Sequence, residues 1–156
     1  MWVFENCKIR RATSEDLENI EIFLESLSDL EKSYLSDNVF KENTEVLLAE
    51  IGEEIVGIAI IQYSPEPRKR HIAHLLIAVK EELRGMGIGY NLNKVCEEVV
   101  KDRNVLKLKI EAPVFNIYTI SRSEIWGYQR EAYLSKEFYI NGKLYDIVVL
   151  SRFLQQ

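Results

Sequence analysis

Polar and apolar residues along the chain change period several times, and each change marks an element. Over residues 7–12 the pattern alternates, Cys7 and Ile9 against Lys8 and Arg10, and predicts a short strand. Thr13-Ser14-Glu15-Asp16 then reads as a helix start: Thr13 can cap, and the acids stand where the helix dipole favours them. Leu17, Ile20, Phe23 (or Leu24) and Leu27 recur at helical spacing behind it. A weaker second helix is expected over about 29–35. Residues 45–51 and 55–63 read as two strands joined by a turn at Gly52-Glu53-Glu54. The second strand is apolar on both faces, which suits a central position, and its Gly57 marks a bulge or a close contact. Residues 64–70, with Pro65 and Pro67, form a loop. A strand over 71–79 runs into a glycine-rich turn and a helix over 87–101. Residues 105–111 alternate as a strand, ended by Pro113. A short helix over 116–126 stops at Gly127. Two final strands, 132–140 and 143–153, are joined by Asn141-Gly142, a strong hairpin signal.

The order is therefore β, α, α, β, β, β, α, β, α, β, β, with no repeat, low-complexity tract or linker. It predicts an α+β (α/β mixed) fold: one domain over residues 1–156, a sheet flanked by helices. The 156 residues suffice for a real core. No apolar run approaches the roughly 20 residues of a membrane span. The start, Met-Trp-Val-Phe-Glu-Asn, lacks the basic region of a signal peptide, so a cytoplasmic protein is expected. Cys7 and Cys96 are too few and too far apart for a disulfide framework or a metal site, and both read as small buried hydrophobes. A net charge of −5 argues against nucleic acid as the main partner and is compatible with a cationic substrate.

The candidate chemistry lies at Arg84-Gly85-Met86-Gly87-Ile88-Gly89-Tyr90, where a strand turns into a helix. Backbone N–H groups at a helix start are unpaired, the dipole adds partial positive charge, and glycine admits an anion close to the backbone. A P-loop is excluded, because Gly89 is followed by Tyr90 rather than Lys-Ser/Thr. A dinucleotide fingerprint is excluded too: its third glycine would fall at Leu92 or Tyr90. A glycine-rich turn without a ligand remains the bland alternative.

Four pieces resemble the GNAT superfamily of N-acetyltransferases. Arg84-Gly85-Met86-Gly87-Ile88-Gly89 is similar to its acyl-CoA loop, Arg/Gln-x-x-Gly-x-Gly/Ala, and Ile77-Ala78-Val79 precedes it at the family's spacing. Asn116, with Gly127-Tyr128 eleven residues on, matches the Asn…Gly-Phe/Tyr segment. The ending Tyr-Ile-Asn-Gly-Lys-Leu-Tyr-Asp-Ile-Val-Val-Leu-Ser is similar to the final hairpin of the polyamine and ribosomal-protein N-terminal acetyltransferase branch. The resemblance implies a central twisted, mostly antiparallel sheet whose splayed strands form the acyl-CoA site. It implies acetyl-CoA as the acyl donor, with the pyrophosphate on backbone N–H groups from about Met86 through Gly87, Ile88 and Gly89 to Tyr90. Arg84 would add charge or brace the loop, whose turn Gly85 shares. Val79 would hold the pantetheine amide, the Ile77 N–H would face the thioester carbonyl, and Asn116 would sit near the sulfur end or pin the splayed strand.

The implied reaction is direct attack of an amine on the thioester. Only about one alkylamine in a thousand is neutral near pH 7, so a proton acceptor is needed. His74 is the first candidate, His71 the second and Glu111 the third, with a water chain also open and structural histidines the alternative. Spaced three apart in a strand, the two histidines point to opposite faces. The tyrosine that many family members place seven residues after the asparagine, as acid for the thiolate, is Ser123 here. The acidic face of the first helices is either solvated surface or a field for a cationic acceptor, and the family's acceptor segment singles out Glu25, Asp29 and Glu31. Arg68, Lys69 and Arg70 are either solvated or a partner for a CoA phosphate. An acetyltransferase for a polyamine, small amine, protein N-terminus or lysine is expected, as monomer or homodimer. A non-catalytic acyl-CoA sensor is the alternative.

Overall fold

The computed structural model describes residues 1–154. Its strands are β1 (Trp2–Val3), β2 (Lys8–Arg11), β3 (Thr44–Ile51), β4 (Glu54–Tyr63), β5 (Ile72–Val79), β6 (Lys107–Pro113), β7 (Gln129–Ile140) and β8 (Lys143–Phe153). Its helices are α1 (Leu17–Glu25), α2 (Asp29–Ser36), α3 (Ile88–Lys101) and α4 (Ile117–Ile125). They build one α+β domain around a sheet of order β1-β2-β3-β4-β5-β6-β8-β7, antiparallel except for the β5–β6 pair.

Each sheet face carries its own apolar layer. Ile20, Phe23, Leu24 and Leu35 of α1 and α2 pack on Leu48, Ile58, Ile60 and Ala78. Leu92, Val95, Cys96 and Val99 of α3 pack on the other face, against Leu47, Ala59, Leu75 and Leu108. β4 is buried on both faces along most of its length, as its continuous apolar run requires. Both cysteines are free and buried.

Most element boundaries agree with the pattern. α3 begins one residue later than its periodicity suggests, because Gly87 is its left-handed cap (φ 86°). β6 runs through Pro113 instead of ending before it. The Leu106 carbonyl accepts from Leu154 N–H next to β8, and the Lys107 N–H donates to the His71 carbonyl next to β5. Even positions of β6 therefore face β8 and odd ones face β5, so Pro113 lacks its N–H on the β5 side, where no ladder bond is lost. β1 has no counterpart in the pattern. It pairs with β2 through Trp2↔Ile9 and Val3↔Lys8.

The β5–β6 pairing covers only Ile72↔Lys107, Ala73↔Leu108 and His74↔Lys109. Beyond it the strands diverge, and the gap opens toward the α3 N-terminus. β5 remains fully paired on its other side, from Gly57↔Val79 to Tyr63↔Ala73.

Candidate active site

β5 directs backbone groups into the gap in a way its neighbours fix. The His71 carbonyl faces β6, and the Lys80 N–H donates to the Val56 carbonyl of β4 (2.9 Å). Since N–H and C=O alternate sides along a strand, the odd positions of β5 face β6. The N–H and C=O of Ile77 and Val79 thus point into the gap beyond the last β5–β6 rung.

The glycine loop closes one end of this gap. Gly85 and Gly87 both hold left-handed φ, 85° and 86°, which strains any residue with a Cβ. The first backbone bond of α3 runs from Asn91 N–H to the Gly87 carbonyl (3.0 Å), leaving Ile88, Gly89 and Tyr90 N–H without intrahelical acceptors. Gly89 is needed for proximity: a Cβ there would lie 3.3 Å from the Trp126 ring, whose contact with α3 brings α4 across the gap.

The result is a cleft of about 290 Å³ between β5, the loop and α4. Of the residues singled out in the sequence, Ile77, Val79, Arg84, Gly85, Gly87, Ile88, Gly89 and Tyr90 line it, as does Glu31. Met86 turns its side chain to solvent. Asn116 caps α4, its carbonyl oxygen accepting from Thr119 N–H (3.1 Å). The sequence pattern places Asn116 inside a helix over 116–126, whereas the structure makes it the cap one residue before α4. Ser123 is fully buried and donates its hydroxyl proton to the Thr119 carbonyl (2.7 Å), which leaves it no proton for a leaving group.

Pattern reading missed the α4 wall. Tyr118, Thr119, Arg122, Ser123 and Trp126 face the cleft, a stripe at i, i+1, i+4, i+5 and i+8 that helical spacing does display. The Tyr118 hydroxyl accepts from Gly85 N–H (3.1 Å), and the Arg84 and Arg122 guanidinium carbons each lie 5.2 Å from its ring centre. Arg84 also donates to both carboxylate oxygens of Glu31 (3.2 Å each), so it braces the loop against α2. Glu25 is paired with Lys32 on the surface, while Asp29 is exposed and unpaired among the described residues. Glu97 holds Arg152, which also donates to the Trp126 carbonyl (3.0 Å). Tyr128 donates to buried Asn93 (2.7 Å), which donates to Glu97 (3.2 Å). This network ties the end of α4 to α3.

His74 and Glu111 sit together where the strands part. Both lie on the α1–α2 face of the sheet, with His74 Nε2 3.3 Å from Glu111 Oε1. The His74 hydrogen bond holds the Glu111 carboxyl below its usual range, against the opposing effect of burial. His71 is exposed at the end of β5, with its carbonyl bound to β6. Arg68 pairs with Glu66 in a single 3-10 turn, away from the cleft. Tyr34 stands near Glu31 and Arg84, its phenol pushed up to about 12 chiefly by burial.

Parted parallel strands, a glycine loop at a helix start and a facing helix form a cleft suited to an extended ligand that ends in an anion. Residues 9–121 match the model of the Acetyltransferase (GNAT) family, and the chain belongs to that family of acetyl-CoA-dependent N-acetyltransferases. It is similar to a Streptococcus mutans protein of known structure at 26% identity, covering 95% of this chain and 99% of that one, with a TM-score of 0.80. The crystal structure of a ribosomal-protein-alanine N-acetyltransferase from Brucella melitensis is 25% identical, covering 94% and 99%, with a TM-score of 0.75. A probable acetyltransferase from Staphylococcus epidermidis shares the fold at 16% identity, covering 96% and 99%, with a TM-score of 0.84. No curated protein matches the sequence.

Proposed function

We propose that the protein transfers an acetyl group from acetyl-CoA to a primary amine by direct attack in a ternary complex. The observation that carries this is the alignment, in one cleft, of the unpaired β5 backbone edge with the unpaired N–H groups of the loop. That edge suits the amides of a pantetheine arm, which would add to it as a strand does. The loop donors suit a diphosphate. Acetyl-CoA supplies the activated thioester carbonyl. In this reading the Ile77 N–H donates to that carbonyl oxygen as charge develops on it. Val79 holds the arm one pleat further on, and Asn116 acts indirectly by fixing the first turn of α4. His74 accepts the proton that the amine loses, with Glu111 orienting its imidazole. The new bond is N–C, the C–S bond breaks, and the thiolate takes its proton from water because Ser123 has none to give.

The acceptor is a single primary amine rather than a polyamine. Glu31, the acid that lines the cleft, is already neutralised by Arg84, and Glu25 by Lys32. Of the three acids that the family's acceptor segment singles out, Asp29 alone has no partner among the described residues. A protein N-terminus is the first acceptor to test, since the Brucella relative's name specifies a ribosomal-protein alanine. Thiol release from acetyl-CoA over a panel of peptides, small amines and spermidine tests this. Release with peptides supports it, and release with spermidine alone contradicts it. The buried Ser123 favours one other reading, an acyl-CoA sensor, which would bind the donor yet release no thiol with any amine offered.

A further inference from the structure

The β1–β2 hairpin carries a residue that the acetyl-CoA chemistry above does not use. Its tip is held by a bond from Phe4 N–H to the Cys7 carbonyl (2.9 Å), and Trp2 Nε1 anchors it to Glu98 of α3 (2.8 Å). From this tip Asn6 Nδ2 donates to the Met86 carbonyl (2.6 Å), and Asn6 Oδ1 accepts from Asn91 Nδ2 (3.3 Å). Asn6 is outside the cleft, whereas Gly87 lines it, and a Cβ on Gly87 would approach Asn6 Nδ2 to 3.9 Å. The side chain therefore grips the loop from behind.

The grip has a directional consequence. No peptide in the chain is cis among the described residues. Across a trans peptide the N–H points opposite to the preceding carbonyl. Holding the Met86 carbonyl outward turns the Gly87 N–H inward, toward the cleft. Glycine at 87 lets that peptide flip at little cost, so sequence at the loop alone does not fix its orientation. We propose that Asn6 is a positioning residue for the diphosphate of the acyl donor, setting the Met86–Gly87 peptide so that the Gly87 N–H joins the α3 donors. The inference rests on the acetyl-CoA reading and adds to it a residue 80 positions from the loop.

Asn6→Ala and Asn6→Asp test it. The aspartate keeps the size and the acceptor for Asn91 but cannot donate to the Met86 carbonyl, and it keeps the test alive should the alanine variant fold poorly. Steady-state kinetics are measured with acetyl-CoA and with S-acetyl-pantetheine, which lacks the diphosphate. The expected result is a KM for acetyl-CoA raised about 10-fold, the size of one lost hydrogen bond, with kcat at saturation retained and the KM for S-acetyl-pantetheine unchanged. Equal changes for both donors, or none for either, would overturn the proposal. A wild-type protein that does not bind acetyl-CoA in calorimetry would overturn the donor assignment as well, which separates the two failures.

Discussion

Arg10 and Asp16 show how one side chain pair steadies the entry to the first helix. Two guanidinium nitrogens meet the two carboxylate oxygens at 2.9 and 2.7 Å, and Thr13 N–H donates to the same carboxylate (2.7 Å). These bonds, Arg10 first, bring the Asp16 pKa down from 3.8 to about 2. A depressed carboxylate stabilises the fold fully above its unfolded pKa, and the stabilisation disappears as pH falls through the folded value. Asp16→Asn should cost about 2 kcal/mol near neutral pH, with the gap from wild type closing toward pH 2; urea titrations along the pH axis measure it. The His74–Glu111 contact makes a second prediction. In His74→Ala, kcat falls by about 10²–10⁴, the usual worth of a positioned base. The Glu111 carboxyl pKa rises in the same variant, because burial then outweighs what lowers it, and carbon NMR titration reads the shift directly. A flat kcat would remove His74 from the chemistry.

At the scale of elements, the cleft depends on the approach of α4 to α3. The Tyr118 phenol holds Gly85 N–H, a donor at the mouth of the anion loop. A diphosphate that takes this donor as well displaces the phenol. Tyr118→Phe should therefore tighten acetyl-CoA binding several-fold, by up to about 1 kcal/mol for one neutral hydrogen bond. Calorimetry with wild type and variant decides this, and weaker binding in the variant would show the hydroxyl to be a ligand contact instead. Elements were also where the sequence was most legible. Asn141 and Gly142 both adopt positive φ, 51° and 80°, as the hairpin signal requires. The turn before α3 was visible in its glycines. β1 was not, since two residues carry no period. The α4 stripe was present in the spacing, yet a helix face becomes a cleft wall only through what lies opposite. The Glu31–Arg84 pair, 53 residues apart, has no local signature either, and it changes what the acidic helices offer to an acceptor.

Over the whole molecule, the two apolar layers grip the sheet from both sides, while the gap between β5 and β6 interrupts it. A donor that bridges the gap binds only the folded state, so it adds stability by mass action: about 2.7 kcal/mol at a concentration 100 times Kd. For a chain of this size that corresponds to a rise of about 5–10 °C in Tm, which a thermal melt with acetyl-CoA tests. A melt unchanged at saturation would mean that the cleft does not hold the donor. The exposed edge of the sheet, β7, is bent where its register shifts between Leu134 and Phe138, with Lys136 at φ 51°. The Lys136 N–H at this bend donates to the Asp146 carboxylate of β8 (2.8 Å), which fixes the irregular stretch of the strand.

Calorimetric titration with acetyl-CoA of wild type and Gly87→Glu shows whether the glycine loop at the α3 N-terminus receives the donor's diphosphate. At position 87 the substitution places a carboxylate beside the loop and forces a side chain into left-handed φ. Receipt there requires stoichiometric binding by wild type and a loss of at least 100-fold in affinity in a variant whose circular dichroism is unchanged. Equal binding by the two proteins, or none by wild type, would contradict it.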